Sequence, residues 1–292
     1  MRHATEGTDG TMVEVGALEQ LWRYPVKSML GERVAGAEVT EHGLVGDRRL
    51  ALVDRASGKV ASAKAPRLWR GLLKCTASTD GAAGVRIEVP GGKALWSTDS
   101  DVDALLSDYV GRAVHLSGTP GEEATLDRSV PEEVLAGGVD AEVSARLVQI
   151  GSGTPAGGGF VDFAPLHLIT TSTLDRIAEL SPRGAVEVER YRPNLVIRTD
   201  EPGFVENSWL GREIRVGEHL LLKVIASTPR CAVPTLEHGD RPRDAAALRI
   251  PAEHNRIPAM ADTPAEPCAG VYAQVLTPGL IAPGDRVLVG AA

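Results

Sequence analysis

Short apolar runs, few of them longer than a strand and nearly all bounded by turn residues, restrict this chain to a mainly β fold. VEVGALEQLWRYPV, RVAGAEVTE, RLALVDRASGKV, LLKCTAS and VRIEVPGG follow one another between Val13 and about Leu116. They are rich in Val, Leu and Ile and are punctuated by Gly, Pro, Asp and Ser. One helix interrupts them: DVDALLSDYV, with Asp99-Ser100 expected as its cap and Gly111 as its stop. After Phe160 the strand pattern resumes at LVIRT, EIRVG, HLLLKVIAS, VYAQVL and DRVLVG, with helices expected at TSTLDRIAEL and near RDAAALRI. Ser172 and Asp175 read as a capping box for the first of these two helices.

At 292 residues the chain exceeds one average domain. The expectation is two β-barrel-like domains with a few helices. Residues 1–12 read as a disordered tail, 13–117 as an N-terminal β domain, 118–159 as a linker or mobile insertion, and 160–292 as a second β domain. The 118–159 assignment rests on the turn-rich SGTPGEEATLDRSVPEE and the Gly run of GSGTPAGGGF.

Composition excludes several function classes. Thirty-one basic residues against 39 acidic ones give a net charge of −8, which argues against nucleic acid or an anionic membrane as the main partner. No stretch approaches the roughly 20 apolar residues of a membrane helix, and the N-terminus lacks a signal peptide's apolar core. A cytoplasmic location is expected. Three cysteines, Cys75, Cys231 and Cys268, are too few for a disulfide scaffold or a four-thiolate metal site, so at most one is assigned chemistry. The seven histidines show no HExxH or paired zinc spacing. Only six of the 31 basic residues are Lys, so a Lys inside a site is less easily there by chance.

Four segments join reactive residues to turn chemistry. RYPVKSMLG places Lys27 and Ser28 after a Pro-stiffened strand end, an anion clamp or simply an exposed edge. GLVGDRRL places Arg48 after Asp47, which can orient the guanidinium for a phosphate or a planar edge; an ordinary surface ion pair is the alternative. PLHLITTSTL crowds Thr171 and Ser172 at a helix start, and RYRPNLVI gathers Arg190, Arg192 and Asn194 around Tyr191. The plain reading of that pair is a capped helix packed on a strand, with solvated arginines. STPRCAVPTLEHGD puts Cys231 after Arg230, whose charge favours thiolate; the alternative is a buried small hydrophobe, which suits Cys75.

In this order the segments resemble the MOSC family, and within it the two-part members with an N-terminal β-barrel domain, such as the amidoxime-reducing components. YPVKS, GL-x-GDR and ASAKAPRL resemble the N-terminal domain. PLHLITTSTL, YRPNLVI, Trp209-Leu210-Gly211 and PRC followed by Thr235 resemble the MOSC domain. The resemblance implies a molybdenum pyranopterin between the two parts, with Cys231 as the one protein thiolate on the metal and the catalytic residue. It implies that Lys27, Ser28 and Arg48 hold the cofactor from one side and Thr171, Ser172, Arg192, Asn194 and Arg230 from the other. The implied activity is reduction of N-oxygenated small molecules, with electrons from a separate ferredoxin-, flavin- or cytochrome-type protein. A sulfur carrier or sulfurtransferase using a Cys231 persulfide, and a non-catalytic cofactor binder, are the alternatives. AVPTLEHGD, with Pro234 and Glu237, departs from the Thr-rich, Asp-containing stretch familiar in the amidoxime-reducing proteins.

Overall fold

The computed structural model describes residues 11–81, 84–92, 94–121, 123–155 and 158–291. Seven strands form a closed barrel: β1 Met12–Arg23, β2 Leu166–Thr170, β3 Leu195–Thr199, β4 Glu213–Val216, β5 Leu220–Pro229, β6 Ala265–Thr277 and β7 Arg286–Gly290. Their order around the barrel is β2-β3-β1-β7-β4-β5-β6, and β6 pairs back onto β2. Every pairing is antiparallel except β2 with β3. Closure leaves these strands no free edge. Alternation fills the interior: Leu220, Leu222 and Val224 of β5 point inward against Leu18, Leu21, Leu168, Ile197, Ile214 and Val287.

β1 was expected to belong with residues 13–117, yet it is a stave of a barrel whose other strands span 166–290. Its place follows from its two edges. One pairs with Leu195–Thr199 and the other with Arg286–Gly290, while Leu18 and Leu21 are each 1% exposed inside. The rest of the N-terminal part builds smaller sheets, Ala51–Asp54 with Val114–Ser117, and Thr76–Thr79 with Val85–Glu88 and Ala94–Trp96. These enclose a second core with Val26, Leu52, Leu72, Ile87 and Leu106. A three-stranded sheet of 37–40, 43–44 and 279–281 stitches this part to the C-terminal end.

The described residues contain five α-helices: α1 Pro66–Trp69, α2 Val102–Val110, α3 Pro131–Gly137, α4 Thr171–Leu180 and α5 Ala246–His254. α2 stops at Gly111 in a left-handed conformation, as its sequence anticipates. Its preceding residue is Asp101, and Asp99 instead accepts from the Trp96 amide at 2.7 Å. The 118–159 segment, read as a linker or mobile insertion, contains a hairpin. Thr125–Ser129 pairs with Ala145–Gln149, α3 lies between them, and Leu126 and Ile150 pack with Ala51, Val60 and Phe160. Apolar residues every few positions gave this segment a core to join despite its turn-rich composition. Of the tail expected over 1–12, residues 1–10 lie outside the described residues and Met12 opens β1. Among the described residues no helix is long and apolar enough to cross a membrane.

Candidate functional site

A narrow cleft lies where the barrel meets the N-terminal sheets. It gathers Lys27, Ser28, Arg48, Arg192, Asn194, Arg230 and Cys231, seven of the nine residues singled out in the sequence. Lys27 and Ser28 lie four and five residues past the end of β1, and Arg48 lies four residues past the 43–44 strand. Arg192 and Asn194 precede β3, and Arg230 and Cys231 follow β5. The barrel ends therefore bring together residues up to two hundred positions apart.

Three of these residues are conformationally unusual. Ser28, Arg48 and Arg192 have φ of 65°, 45° and 55°, and they are three of the four described non-glycine residues with positive φ. Left-handed backbone costs a side-chain-bearing residue roughly 1 kcal/mol or more, and such strain concentrates at binding sites. Ser28 Oγ accepts from the Ala63 amide at 3.0 Å. The Arg48 guanidinium bonds the Asp47 carboxylate, and Asp47 in turn takes the Tyr24 amide at 2.7 Å. Arg48 also donates to the Arg192 carbonyl at 3.1 Å and to Asn194 Oδ1 at 3.3 Å. Arg192 donates to the Met29 carbonyl at 2.6 Å. The Tyr24 ring lies against both guanidiniums, at 5.0 Å from Arg48 and 4.4 Å from Arg192. A surface ion pair at Asp47–Arg48 is thereby replaced by a buried lattice of donors.

The electrostatics favour an anion. Lys27, Lys64, Arg48, Arg192 and Arg230 meet two carboxylates, Asp47 and Asp162, leaving three positive charges in excess within a chain of net charge −8. Lys27 Nζ donates to Asp162 at 2.7 Å and to the Phe160 carbonyl at 2.8 Å, while Lys64 reaches the other Asp162 oxygen at 3.1 Å. Burial lowers the Lys27 ammonium to about 8, against the opposing pull of Asp162. Burial and the neighbouring Arg48 lower Arg192 to about 10. Two buried guanidinium nitrogens, Arg192 Nη2 and Arg230 Nε, have no hydrogen-bond partner among the described residues. Unpaired buried donors cost free energy unless something else accepts from them.

Cys231 is 8% exposed and packs with Ala63, Leu73, Val233 and Leu236 at the cleft wall. Its neighbour Arg230 turns back to the Tyr191 carbonyl at 2.9 Å and lies 3.4 Å from His167 Nε2. Cys75 and Cys268 are fully buried, and burial pushes their thiols up to about 11 and about 12. Cys75 packs in the second core with Leu72 and Ile87. Among the described residues no cluster of three His, Cys, Asp or Glu side chains could hold a metal ion.

Thr171 and Ser172 do not reach the cleft. β2 enters it at His167 and leads away, so the start of α4 stands roughly 10–13 Å further along. Ser172 Oγ meets Thr199 Oγ1 at 2.7 Å, and Thr171 Oγ1 accepts from the Thr199 amide at 3.2 Å. The cap of α4 is Thr170, which accepts from the Thr173 amide, so the capping pair read from Ser172 and Asp175 is displaced by two residues. The crowded hydroxyls have a different task. Thr170 and Thr173 donate to the fully buried Glu206 at 2.6 and 2.7 Å, and Glu206 also accepts from the Gly270 amide at 3.1 Å.

Lys64, Asp162, His167 and Tyr272 also line the cleft and were not singled out as site residues. The scarcity of Lys was a usable signal for Lys64. His167 is 5% exposed, and burial together with Arg230 holds its imidazole well below the usual histidine range, hence neutral.

The MOSC domain family model matches residues 157–288, and the MOSC N-terminal beta barrel domain model matches residues 15–125. Human mitochondrial amidoxime-reducing component 1 is 25% identical over 253 residues, covering 77% of this chain and 67% of that protein. Rat mitochondrial amidoxime reducing component 2 is 25% identical over 247 residues, with 77% and 68% coverage. Among solved structures, the YUAD protein from Bacillus subtilis aligns over 97% of this chain and 99% of its own, at 11% identity and a TM-score of 0.47. YiiM from Geobacillus stearothermophilus aligns over 50% and 67%, at 17% identity and a TM-score of 0.32. With both family models matched in order, the chain belongs to the MOSC family, as a member that carries the N-terminal beta barrel domain ahead of its MOSC domain.

Proposed function

We propose that this protein is a molybdenum-cofactor-dependent oxidoreductase that removes oxygen from N-oxygenated small molecules. Two electrons per turnover come from a separate ferredoxin-, flavin- or cytochrome-type protein, and two protons are taken up as water is released. The observation that carries this reading is the cationic cleft, with two unpaired buried guanidinium nitrogens, beside the one cysteine that reaches it.

The residues present fit an anionic, phosphate-bearing pterin. Lys27, Lys64, Arg48 and Arg192 supply positive charge. Arg192 Nη2 and Arg230 Nε have donor capacity to spare. Ser28, Arg48 and Arg192 hold left-handed backbone, where strain accompanies a shaped site. When bound, such a cofactor supplies two-electron chemistry at a metal held by its own dithiolene sulfurs and one protein thiolate. In this chain Cys231 would supply that thiolate, a soft ligand for a soft metal. Arg48 and Asn194 lock one another through Asn194 Oδ1, which keeps the guanidinium turned toward the cleft. Burial among Ala63, Leu73, Val233 and Leu236 limits water at the Cys231 sulfur.

Metal analysis of protein made in a cofactor-competent host tests the reading. The wild-type chain is expected to hold close to one molybdenum, and Cys231→Ala to lose most of it. A full complement in Cys231→Ala overturns the ligand assignment. A second reading, a persulfide carrier, has in its favour the same thiol set among cations. Mass spectrometry would then find an extra sulfur on Cys231 and no molybdenum.

A further inference from the structure

Arg190 lies outside the cleft, yet it is the largest fully buried side chain among the described residues, with 0% exposure. A buried guanidinium is costly unless its donors are satisfied, and four of its hydrogen bonds show where it is used. Nε donates to Glu187 at 2.5 Å. Nη1 donates to the Pro234 carbonyl at 3.2 Å and the Leu236 carbonyl at 3.0 Å, and Nη2 to the Pro242 carbonyl at 2.8 Å. All three carbonyls belong to the irregular segment that follows Cys231. That segment has little regular structure of its own, a single 3₁₀ turn at Val233–Thr235. From the other side, Arg230 returns to the carbonyl of Tyr191, the residue after Arg190. The two arginines therefore cross-link the stretch bearing Arg192 and Asn194 with the stretch bearing Cys231.

We propose that Arg190 is a positioning residue: its grip on the carbonyls of Pro234, Leu236 and Pro242 fixes the Cys231 thiol in register with Arg192 and Asn194. The functional weight of this rests on the reading of the cleft as a molybdenum-cofactor site, while the grip itself concerns the chain alone. An apolar side chain could fill the same volume but could not fix three carbonyls that lack ladder partners. A lysine keeps the charge but offers one ammonium where the planar fork serves three oxygens.

The three cysteines supply the test. In cofactor-free full-length protein, the alkylation rate of each thiol by iodoacetamide is followed by peptide mass spectrometry, with the fully buried Cys75 and Cys268 as internal references. Arg190→Lys is expected to accelerate labelling of Cys231 by about tenfold, the size of local opening when buried hydrogen bonds are lost, with the other two unchanged. Glu187→Gln keeps Arg190 but removes its carboxylate, and is expected to give a smaller rise of about two- to threefold. In molybdenum-loaded protein, Arg190→Lys is expected to alter the electron paramagnetic resonance line shape of the metal. Unchanged Cys231 labelling in both variants overturns the proposal. So does parallel acceleration of all three thiols in both, because Arg190 would then support the fold generally. A wild-type protein without molybdenum refutes the cofactor reading instead, and the Cys231 labelling still decides the grip.

Discussion

Lys27 donates to both Asp162 and the Phe160 carbonyl, and it carries a proton only up to about pH 8 in the folded chain against an ordinary 10.5. Between these values the unfolded chain binds a proton that the folded one does not, so this group adds stability as pH rises from about 8 toward 10.5. Around it stand Lys64 and Arg48, which also disfavour its charge, and Asp162, which favours it. Urea midpoints of the cofactor-free protein at about pH 7, about pH 9 and about pH 10 are expected to fall less for wild type than for Lys27→Met, because the variant lacks this gain. Parallel pH profiles would contradict the assignment of an ammonium that burial holds below its ordinary range. Lys27 and Arg48 were legible in the sequence because each sits in a turn whose local chemistry already suggests an oriented cation. Asp162 was not. Its partner Lys27 is 135 residues away, and only barrel closure brings a residue just after the Gly run onto a residue just after the first strand. Arg190 was legible only as one of a solvated group, since nothing local reveals that three distant carbonyls will enclose it.

β2 and β6 meet where the cleft needs a backbone defect. Ser227 pairs with Val271 but Pro229 pairs with Cys268, so β6 carries an extra residue, a bulge around Gly270. Gly270 has φ of 83°, and a Cβ there would stand 2.4 Å from His167 Nε2 and 2.5 Å from the Leu168 carbonyl. The glycine is therefore what allows the His167 ring to seat beside Arg230. Gly270→Ala is expected to cost about 3 kcal/mol, from left-handed strain plus overlap with backbone, and to displace His167 from the cleft wall. Denaturation midpoints measure the first effect and molybdenum retention the second; an alanine variant as stable as wild type contradicts both. The strand runs themselves were readable because alternation with period two survives in single segments such as LLLKV. Boundaries and caps were read less well. Thr170, Thr171, Ser172 and Thr173 can each cap a helix in principle, and the choice of Thr170 depends on Glu206 drawing the hydroxyls inward from outside the segment. The hairpin around α3 hid behind turn residues, because Leu126 and Ile150 complete their core with Ala51, Val60 and Phe160 from outside the segment.

The molecule is two parts in family terms but one interlocked unit in its hydrogen bonding. β1 makes five register pairs with β3 and five with β7, and the 37–44 hairpin pairs with 279–281 near the other terminus. The cleft is divided in the same way, since Lys27, Ser28, Arg48 and Lys64 come from the first part and Asp162, Arg192, Asn194, Arg230 and Cys231 from the second. Sequence reading recovered the mainly β class and the order of segments. It did not show the strands with which β1 pairs, because an amphipathic strand carries no mark of which sheet will complete it. This has a physical consequence for dissection of the chain. A fragment of residues 160–292 lacks one of seven staves, so β3 and β7 are left with unpaired edges, and the inward-facing Leu18 and Leu21 are missing from the core. Open edges flanking a hole in an apolar interior favour aggregation over a closed barrel. The fragment alone is therefore expected to unfold without a cooperative transition, whereas the same fragment preceded by residues 11–34 through a flexible linker is expected to regain one. Circular dichroism on heating distinguishes these outcomes. Cooperative unfolding of the isolated 160–292 fragment would mean that the second part closes its barrel without β1, and the pairing of β1 with β3 and β7 would then be dispensable for the fold.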